Sequence, residues 1–226
     1  MIKEFIIESK KNHLFTCICL HGMYQSYTTL LPIAKYLQDN NNNLKIILVD
    51  SPQININWPS GIEYNVKSWY NYYSDYSGKM KYDIIDKKQF IFQTDRINKL
   101  IKREINNNID PKNIVLLGES QGGTIALHTG LTSEYKIGGI IGIHTLFLVD
   151  EIDNFDNLNK IPIYLFSGEK DEIYNINLQS YGISKLSKKK YFLNFDIHNN
   201  LSHCEYYDKL FEIILSNFNK IINYKL

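Results

Sequence analysis

The segment Gly118-Glu119-Ser120-Gln121-Gly122 has the residue types of a nucleophilic serine turn. It directly follows the apolar run 114–117, which predicts a β-strand, and it precedes 124–131, which predicts a helix. A serine on such a sharp turn has a strained backbone, and the flanking glycines remove side chains that would clash there. The turn lifts the hydroxyl above the sheet edge, next to the amide dipoles of the helix N-terminus. This arrangement predicts that Ser120 attacks a carbonyl carbon.

Two phosphate-binding motifs and one structural alternative compete with this interpretation. A P-loop needs a lysine before its final Ser or Thr, but Gly122-Gly123-Thr124 has none. The G-x-G-x-x-G spacing of a dinucleotide-binding turn is also absent. The remaining alternative is a glycine-rich turn that buries a serine without chemistry.

A serine nucleophile needs a histidine base and an acid that orients it, and on a strand–turn–helix scaffold these follow the serine in the order acid, then histidine. His203 lies in a loop just before the last predicted helix, and His198 is the alternative base. Asp171 follows a predicted strand, at the sheet edge where sites form in open α/β sheets. Glu169 and Asp150 are the alternative acids.

The loop Leu20-His21-Gly22-Met23 follows an early predicted strand and predicts one half of an oxyanion hole. Gly22 allows the tight turn that points the Met23 amide at the substrate oxygen, and the Gln121 amide supplies the second donor. We interpret His21 as a structural residue that holds this loop by hydrogen bonds rather than as a base.

The composition of the chain argues against several classes of protein. The 226 residues are 44% hydrophobic and 22% charged, with a formal net charge of +1, which argues against nucleic-acid binding by broad phosphate neutralisation. The cysteines number three (Cys17, Cys19 and Cys204), so a disulfide framework is not expected. Charged residues interrupt the N-terminal apolar residues, and no apolar run approaches the ~20 residues of a membrane span. We therefore expect a cytoplasmic protein without stable membrane insertion.

Apolar runs alternate with helical patterns along the whole chain. This order predicts an α/β fold with a mostly parallel sheet, helices on both faces and a single domain over 1–226. The segment 53–78 is expected to be irregular and rich in aromatic residues. Strands are predicted at 2–8, 13–20, 44–49, 114–117, 137–143, 161–166 and 191–195, and helices at 27–38, 90–105, 124–131 and 205–222.

With these residues assigned, the chain resembles the acyl-protein thioesterase and carboxylesterase family of α/β-hydrolases. The family's oxyanion segment matches residues 20–23, its nucleophile motif matches 118–123, and its Ser-Trp-aromatic segment matches 68–70. Its Gly-x-x-Asp acid motif matches 168–171, and its histidine matches His203. The resemblance implies a minimal lid, an acyl-enzyme mechanism with Ser120, Asp171 and His203, and no metal or other cofactor.

The implied substrates are acylated proteins, from whose cysteine thioesters the acyl group would be removed. A broad carboxylesterase or lysophospholipase acting on small esters is the alternative, and a catalytically silent binding protein is a third. The chain departs from the family pattern at Tyr24, Gln25, Glu119 and Glu172.

Substrate contacts are expected at Trp69, Tyr70 and Tyr24, on or near the aromatic segment. The other rings of that segment are Trp58, Tyr72, Tyr73 and Tyr76, and the alternative is that all these rings only pack the segment onto the domain.

Overall fold

A computed structural model describes residues 3–74, 84–152, 158–188, 191–205 and 208–224. Tyr76 lies outside these ranges. The strands are β1 (Glu4–Ile7), β2 (Phe15–Leu20), β3 (Leu44–Val49), β4 (Gln53–Trp58), β5 (Gly61–Lys67), β6 (Ile114–Glu119), β7 (Gly139–Ile143), β8 (Ile163–Gly168) and β9 (Leu193–His198). The helices are α1 (Tyr27–Asp39), α2 (Lys87–Asn106), α3 (Ser120–Thr132), α4 (Ile176–Lys188) and α5 (Leu210–Ile222).

Seven strands form the central sheet in the order β1-β3-β2-β6-β7-β8-β9. β1 pairs antiparallel with β3, and every other pairing in this sheet is parallel. All residues of β3, β6 and β8 are buried, as expected for parallel strands covered on both faces. The α/β-hydrolase fold with a mostly parallel sheet is thereby confirmed.

Alternate residues of each strand point into two separate hydrophobic cores. Leu116 of β6 packs in the core beneath α2, α3 and α4. Its neighbours Val115 and Leu117 pack in the core beneath α1 and α5. The helices thus cover both faces of the sheet, and α3 is buried on nearly all sides. Among the described residues, none of these helices is long and apolar enough to cross a bilayer.

The expectation that segment 53–78 is irregular is wrong for its first part. Instead of being irregular, its first part forms the two-stranded antiparallel sheet β4–β5, turned at Pro59-Ser60. β4 alternates apolar Ile54, Ile56 and Trp58 with polar residues, which is the pattern of a half-buried strand. The asparagines and the proline obscured this signal because both residue types are depleted in strands.

Helix α4 was not predicted, since its sequence contains a glycine and several polar residues. Gly182 is required there because a Cβ would lie 2.2 Å from the Phe147 carbonyl oxygen, so the glycine lets the helix approach that loop. Helix α3 begins at Ser120 rather than at 124, and α5 begins at Leu210 rather than at 205.

A buried ion pair ties α2 to the sheet. Lys45 of β3 donates to both carboxylate oxygens of Glu104, at 3.2 and 3.1 Å. Glu104 is fully buried, and Thr16 and Arg103 also donate to it, at 3.4 and 3.3 Å. Because a buried charge is costly without a partner, this pair constrains how α2 packs on the strands.

We predict that Lys45→Met lowers the free energy of unfolding by about 3 kcal/mol, because it leaves the Glu104 carboxylate buried with too few partners. Urea denaturation measures the change. Lys10→Met is the matched control, since Lys10 and Asp39 form an exposed pair with side chains 47% and 66% accessible. Its effect should stay within about 0.5 kcal/mol. Equal effects of the two substitutions would contradict a stabilising role for the buried pair.

Candidate active site

Ser120 sits at the junction of β6 and α3 in a left-handed backbone conformation, with φ of +50°. This conformation is costly for a residue with a side chain, and it aims the hydroxyl away from the helix. The turn is held because Gly122 packs against the end of β2. A Cβ at Gly122 would lie 2.4 Å from the carbonyl oxygens of Leu20 and His21, so glycine is needed here.

A chain of hydrogen bonds joins three side chains from distant parts of the sequence. The Oγ of Ser120 lies 2.9 Å from Nε2 of His203. The Nδ1 of the same ring lies 2.9 Å from each carboxylate oxygen of Asp171. Because the carboxylate accepts from Nδ1–H, the Nε2 atom accepts from the serine hydroxyl. The structure therefore brings Ser120, His203 and Asp171 together.

Asp171 is held in place by the backbone that follows it. Its Oδ1 accepts from the amides of Ile173 and Tyr174, at 3.0 and 2.7 Å. Burial on its own would raise the pKa of this carboxyl, but hydrogen bonds from His144 and His203 outweigh it and lower the pKa. Asp171 is thus ionised and oriented.

The alternative base and acids lie away from the serine. His198 ends β9, and its ring packs on that of Phe166 with centroids 4.7 Å apart. Glu169 is exposed, and Asp150 lies in an exposed 3₁₀ turn. In the structure His203, and not His198, contacts Ser120.

The loop after β2 lies against the nucleophile turn. His21 is fully buried, and its Nε2 accepts from the Ser51 amide at 3.0 Å while its Nδ1 bonds the Gly22 carbonyl at 2.7 Å. Burial lowers the pKa of His21 to about 4 despite the hydrogen bond to Gly22, so the ring is neutral. These hydrogen bonds hold the loop in the way that the structural interpretation of His21 predicts. Met23 and Gln121 both line the cavity beside Ser120.

Trp69 and Tyr70 do not line this cavity, contrary to expectation. Both side chains are fully buried, so neither has surface to offer a substrate. They instead support the walls of the site. The Trp69 indole donates to the His21 carbonyl at 2.7 Å, and the Trp69 amide donates to Oε1 of Gln121 at 2.7 Å. Nε2 of Gln121 donates to the Tyr70 carbonyl at 2.9 Å.

A cavity of about 900 Å³ opens above Ser120. The β4–β5 hairpin forms one wall and is fastened to the loop after β2, because the hydroxyl of Tyr24 and the indole of Trp58 both donate to Glu63, at 2.6 and 2.9 Å. Burial and this carboxylate raise the pKa of Tyr24 to about 12. The cavity is lined by Gly22, Met23, Tyr24, Gln25, Thr29, Trp58, Pro59, Ser60, Tyr72, Glu119, Ser120, Gln121, Ile173, Tyr174, His203 and Cys204.

Two of the departures from the family pattern contact each other in this wall. Nε2 of Gln25 donates to Glu119 at 3.1 Å, and Oε1 of Gln25 accepts from the Gly22 amide at 2.7 Å. The carboxylate beside the nucleophile is therefore bound by the side chain that also shapes the oxyanion loop. A third departure, Glu172, accepts from the His203 amide at 3.1 Å.

Sequence reasoning did not assign His144 to the site. It is fully buried at the end of β7, and its Nδ1 lies 3.4 Å from Oδ2 of Asp171. One ligand atom each from His144, Asp171 and His203 lies within 4.8 Å of the others, a spacing that suits a metal ion. The His203–Asp171 distances are those of hydrogen bonds, so we interpret the group as a hydrogen-bonded cluster.

Comparison with known proteins agrees with this geometry. The Phospholipase/Carboxylesterase family profile matches residues 1–222. The chain belongs to the phospholipase/carboxylesterase family. It is 29% identical to acyl-protein thioesterase 1 of Emericella nidulans over 181 residues, which cover 75% of this chain and 74% of the relative.

Solved structures show that the fold is shared as well. Acyl-protein thioesterase 2 of Zea mays superposes with a TM-score of 0.78 at 16% identity, covering 98% of this chain and 99% of that one. The Bacillus cereus carboxylesterase gives a TM-score of 0.73 at 19% identity, covering 98% and 95%. The phospholipase/carboxylesterase family comprises esterases and thioesterases, so an ester-type substrate is implied for this member.

We predict that Gly122→Ala costs the protein about 3 kcal/mol of stability or more, because the new Cβ meets backbone atoms that cannot rotate away. Thermal unfolding measures the loss. The matched control is Thr132→Ala on the exposed end of the same helix, for which we expect a change within about 0.5 kcal/mol. A Gly122→Ala protein as stable as the parent would show that β2 and α3 are not in tight contact.

Proposed function

We propose that this protein is a serine hydrolase that cleaves acyl thioesters and esters through an acyl-enzyme. The observation that carries the proposal is the chain of hydrogen bonds from Ser120 through His203 to Asp171 at the floor of a cavity. Each atom in that chain has the partner that acyl transfer requires.

In the first step the Oγ of Ser120 attacks the substrate carbonyl carbon, and Nε2 of His203 takes the hydroxyl proton. Asp171 accepts from Nδ1–H, which fixes the imidazole tautomer and stabilises the imidazolium that forms. The imidazolium then protonates the leaving thiol or alcohol as its bond to the acyl carbon breaks. Water, deprotonated by the same ring, hydrolyses the acyl-enzyme and returns the serine.

The developing oxyanion would bind to the amides of Met23 and Gln121. Gln121 is the second residue of α3, so its N–H has no acceptor within the helix. Trp69 positions both donors, since it holds the loop of Met23 through His21 and holds Gln121 directly. Preorganised donors of this kind contribute roughly 3–4 kcal/mol to transition-state stabilisation.

For the substrate we propose an acyl group on a protein cysteine, which makes the chain an acyl-protein thioesterase that removes palmitoyl-type groups. The Emericella nidulans relative carries that name. The cavity volume is within the range of about 300–1,000 Å³ of small-ligand sites, and its wall includes Met23, Trp58 and Ile173. We propose that Tyr24, which lines the cavity, contacts the substrate.

One observation favours the second candidate, a broad carboxylesterase on small esters. Glu119 and Gln25 make a polar patch in the cavity wall beside Ser120. An alkyl chain that is buried against a carboxylate gains less binding free energy than one that is buried against apolar side chains.

We further propose one catalytic domain that acts in the cytoplasm on acylated proteins, without nucleic acid, metal or stable membrane insertion. Its cysteines are free: Cys17 and Cys19 are buried with Sγ atoms 3.7 Å apart, and Cys204 is exposed. Free thiols are typical of a reducing compartment.

We predict that a fluorophosphonate probe labels the parent protein and not Ser120→Ala, because only the hydroxyl activated by His203 reacts with phosphorus. Labelling is read by gel fluorescence or intact mass. Ser184→Ala, at an exposed serine of α4, is the matched control and should label like the parent. A parent protein that does not label would refute the hydrolase assignment and favour a silent binding protein.

We also predict that kcat/KM on acyl-thioester peptides rises with acyl length, by up to about fourfold per methylene while the chain is still being buried. A parallel series of p-nitrophenyl esters separates chain length from the leaving group. A steep fall beyond short chains in both series would count against depalmitoylation and support the carboxylesterase.

A further inference from the structure

His144 is a buried polar residue beside the candidate active site. It follows β7 directly, has no exposed surface, packs edge-on against the ring of Phe166 and adopts φ of +45°, a conformation uncommon for residues other than glycine. Its amide donates to the Phe166 carbonyl of the neighbouring strand at 2.8 Å, which fixes the backbone. The strained conformation directs Nδ1 to within 3.4 Å of Oδ2 of Asp171.

The carboxylate of Asp171 has unequal support on its two oxygens. Two backbone amides hold Oδ1. Oδ2 receives the shared Nδ1–H of His203 at 2.9 Å and a long contact of 3.4 Å from Gln179. The same Gln179 nitrogen donates to Ser167 at 2.7 Å, so its contact with Oδ2 is the weaker one. Among the residues that the structure describes, His144 is thus the remaining side chain close enough to stabilise charge on Oδ2.

The position of the proton on His144 follows from what surrounds the ring. With the proton on Nδ1, the ring donates to a carboxylate, which is a charge-assisted hydrogen bond. With the proton on Nε2, two lone pairs would face each other across 3.4 Å, and Nε2–H would be a buried donor without an acceptor among the described residues. The Gly168 amide, also 3.4 Å from Nδ1, can donate to Nδ1 only when the proton is on Nε2. Because this amide is neutral, it stabilises that form less than the charged carboxylate stabilises the form with the proton on Nδ1.

We propose that His144 is a positioning residue of the catalytic group: protonated on Nδ1, it shares Asp171 with His203 and keeps that carboxylate ionised and aimed at the catalytic imidazole. The inference rests on the proposed hydrolase function. The ring centroids of the two histidines lie 5.5 Å apart, and the Nδ1 atoms of both approach Oδ2 of Asp171, at 3.4 Å from His144 and 2.9 Å from His203, so one acid serves two imidazoles.

The sign of the expected pH effect follows from the charge on Asp171. A hydrogen bond from His144 lowers the pKa of Asp171, so the carboxylate is a weaker base than it would be alone. Without it, Asp171 holds the Nδ1 proton of His203 more strongly, and the imidazolium persists to higher pH. Since only the neutral ring accepts the serine proton, the acid limb of the kcat/KM profile moves to higher pH.

Other titratable groups face this pair and stay unchanged in the test. Glu172 bonds the His203 amide, and the Tyr174 ring packs edge-on against the His203 ring. Glu119 and Cys204 line the cavity beside His203, and His198 packs behind Phe166. Because they are common to parent and variants, a difference in profile reports on His144.

The experiment compares His144→Phe with His144→Asn. Phenylalanine keeps a planar aromatic ring, slightly larger than imidazole, and loses both nitrogens, whereas the amide of asparagine offers a donor near the place of Nδ1 and tolerates positive φ. With a short p-nitrophenyl ester, we expect His144→Phe to lower kcat about tenfold with little change in KM, and to move the acid limb up by about half a pH unit or more. His144→Asn should keep the parent's limb and a rate within about threefold.

An acid limb that is the same in His144→Phe as in the parent would overturn the proposal. So would a His144→Asn protein that is folded, by thermal unfolding, yet shifted as far as His144→Phe. The tautomer is measured independently of the variants by ¹⁵N NMR of the parent's imidazoles at pH 8, where Nδ1–H on His144 is expected and Nε2–H would refute it. If the parent protein labels with fluorophosphonate but these results are not obtained, only the role of His144 is refuted. If the parent protein does not label, the hydrolase assignment itself is refuted.

Discussion

The turn at Ser120 depends on one close contact, the packing of the first turn of α3 against the end of β2. A side chain at Gly122 would overlap two carbonyl oxygens of that strand, so the helix and the strand approach as closely as backbones allow. This contact keeps Ser120 in its left-handed conformation and sets the loop of Met23 beside it. Ser120 and the expected oxyanion donors are thus positioned by the same contact, and the rest of the sheet places His203 and Asp171 relative to it.

The features that were predicted from the sequence depend on short-range signals. The fully apolar run 114–117 followed by the glycine-rich segment 118–123 predicted the serine turn, and the parallel sheet follows from alternating apolar runs and helical patterns. The structure places Asp171 and His203 where loops after β8 and β9 were expected to bring them. Both residues lie at the carboxyl edge of the sheet, which is a topological property and can be read without coordinates.

The features that were missed depend on contacts between distant segments. Trp69 and Tyr70 looked like a pocket wall because aromatic residues serve equally for packing and for binding, and only burial distinguishes the two uses. His144 follows one strand and Asp171 follows the neighbouring strand, 27 positions later in the sequence. No local sequence pattern predicts the contact between them. Likewise Gln25 and Glu119 looked like independent departures from the family pattern, although each is the other's hydrogen-bond partner.

His203 follows one of the two edge strands of the central sheet. β9 is an edge strand, as is β1, and none of its residues is fully buried, whereas β6 beneath Ser120 is wholly buried. Such edges open by local unfolding at a lower free-energy cost than the sheet centre. Opening of β9 and its following loop would disconnect His203 from Ser120, 83 residues away, while most of the protein stayed native. Any activity that depends on the contact between His203 and Ser120 should therefore be lost on heating before the fold is lost.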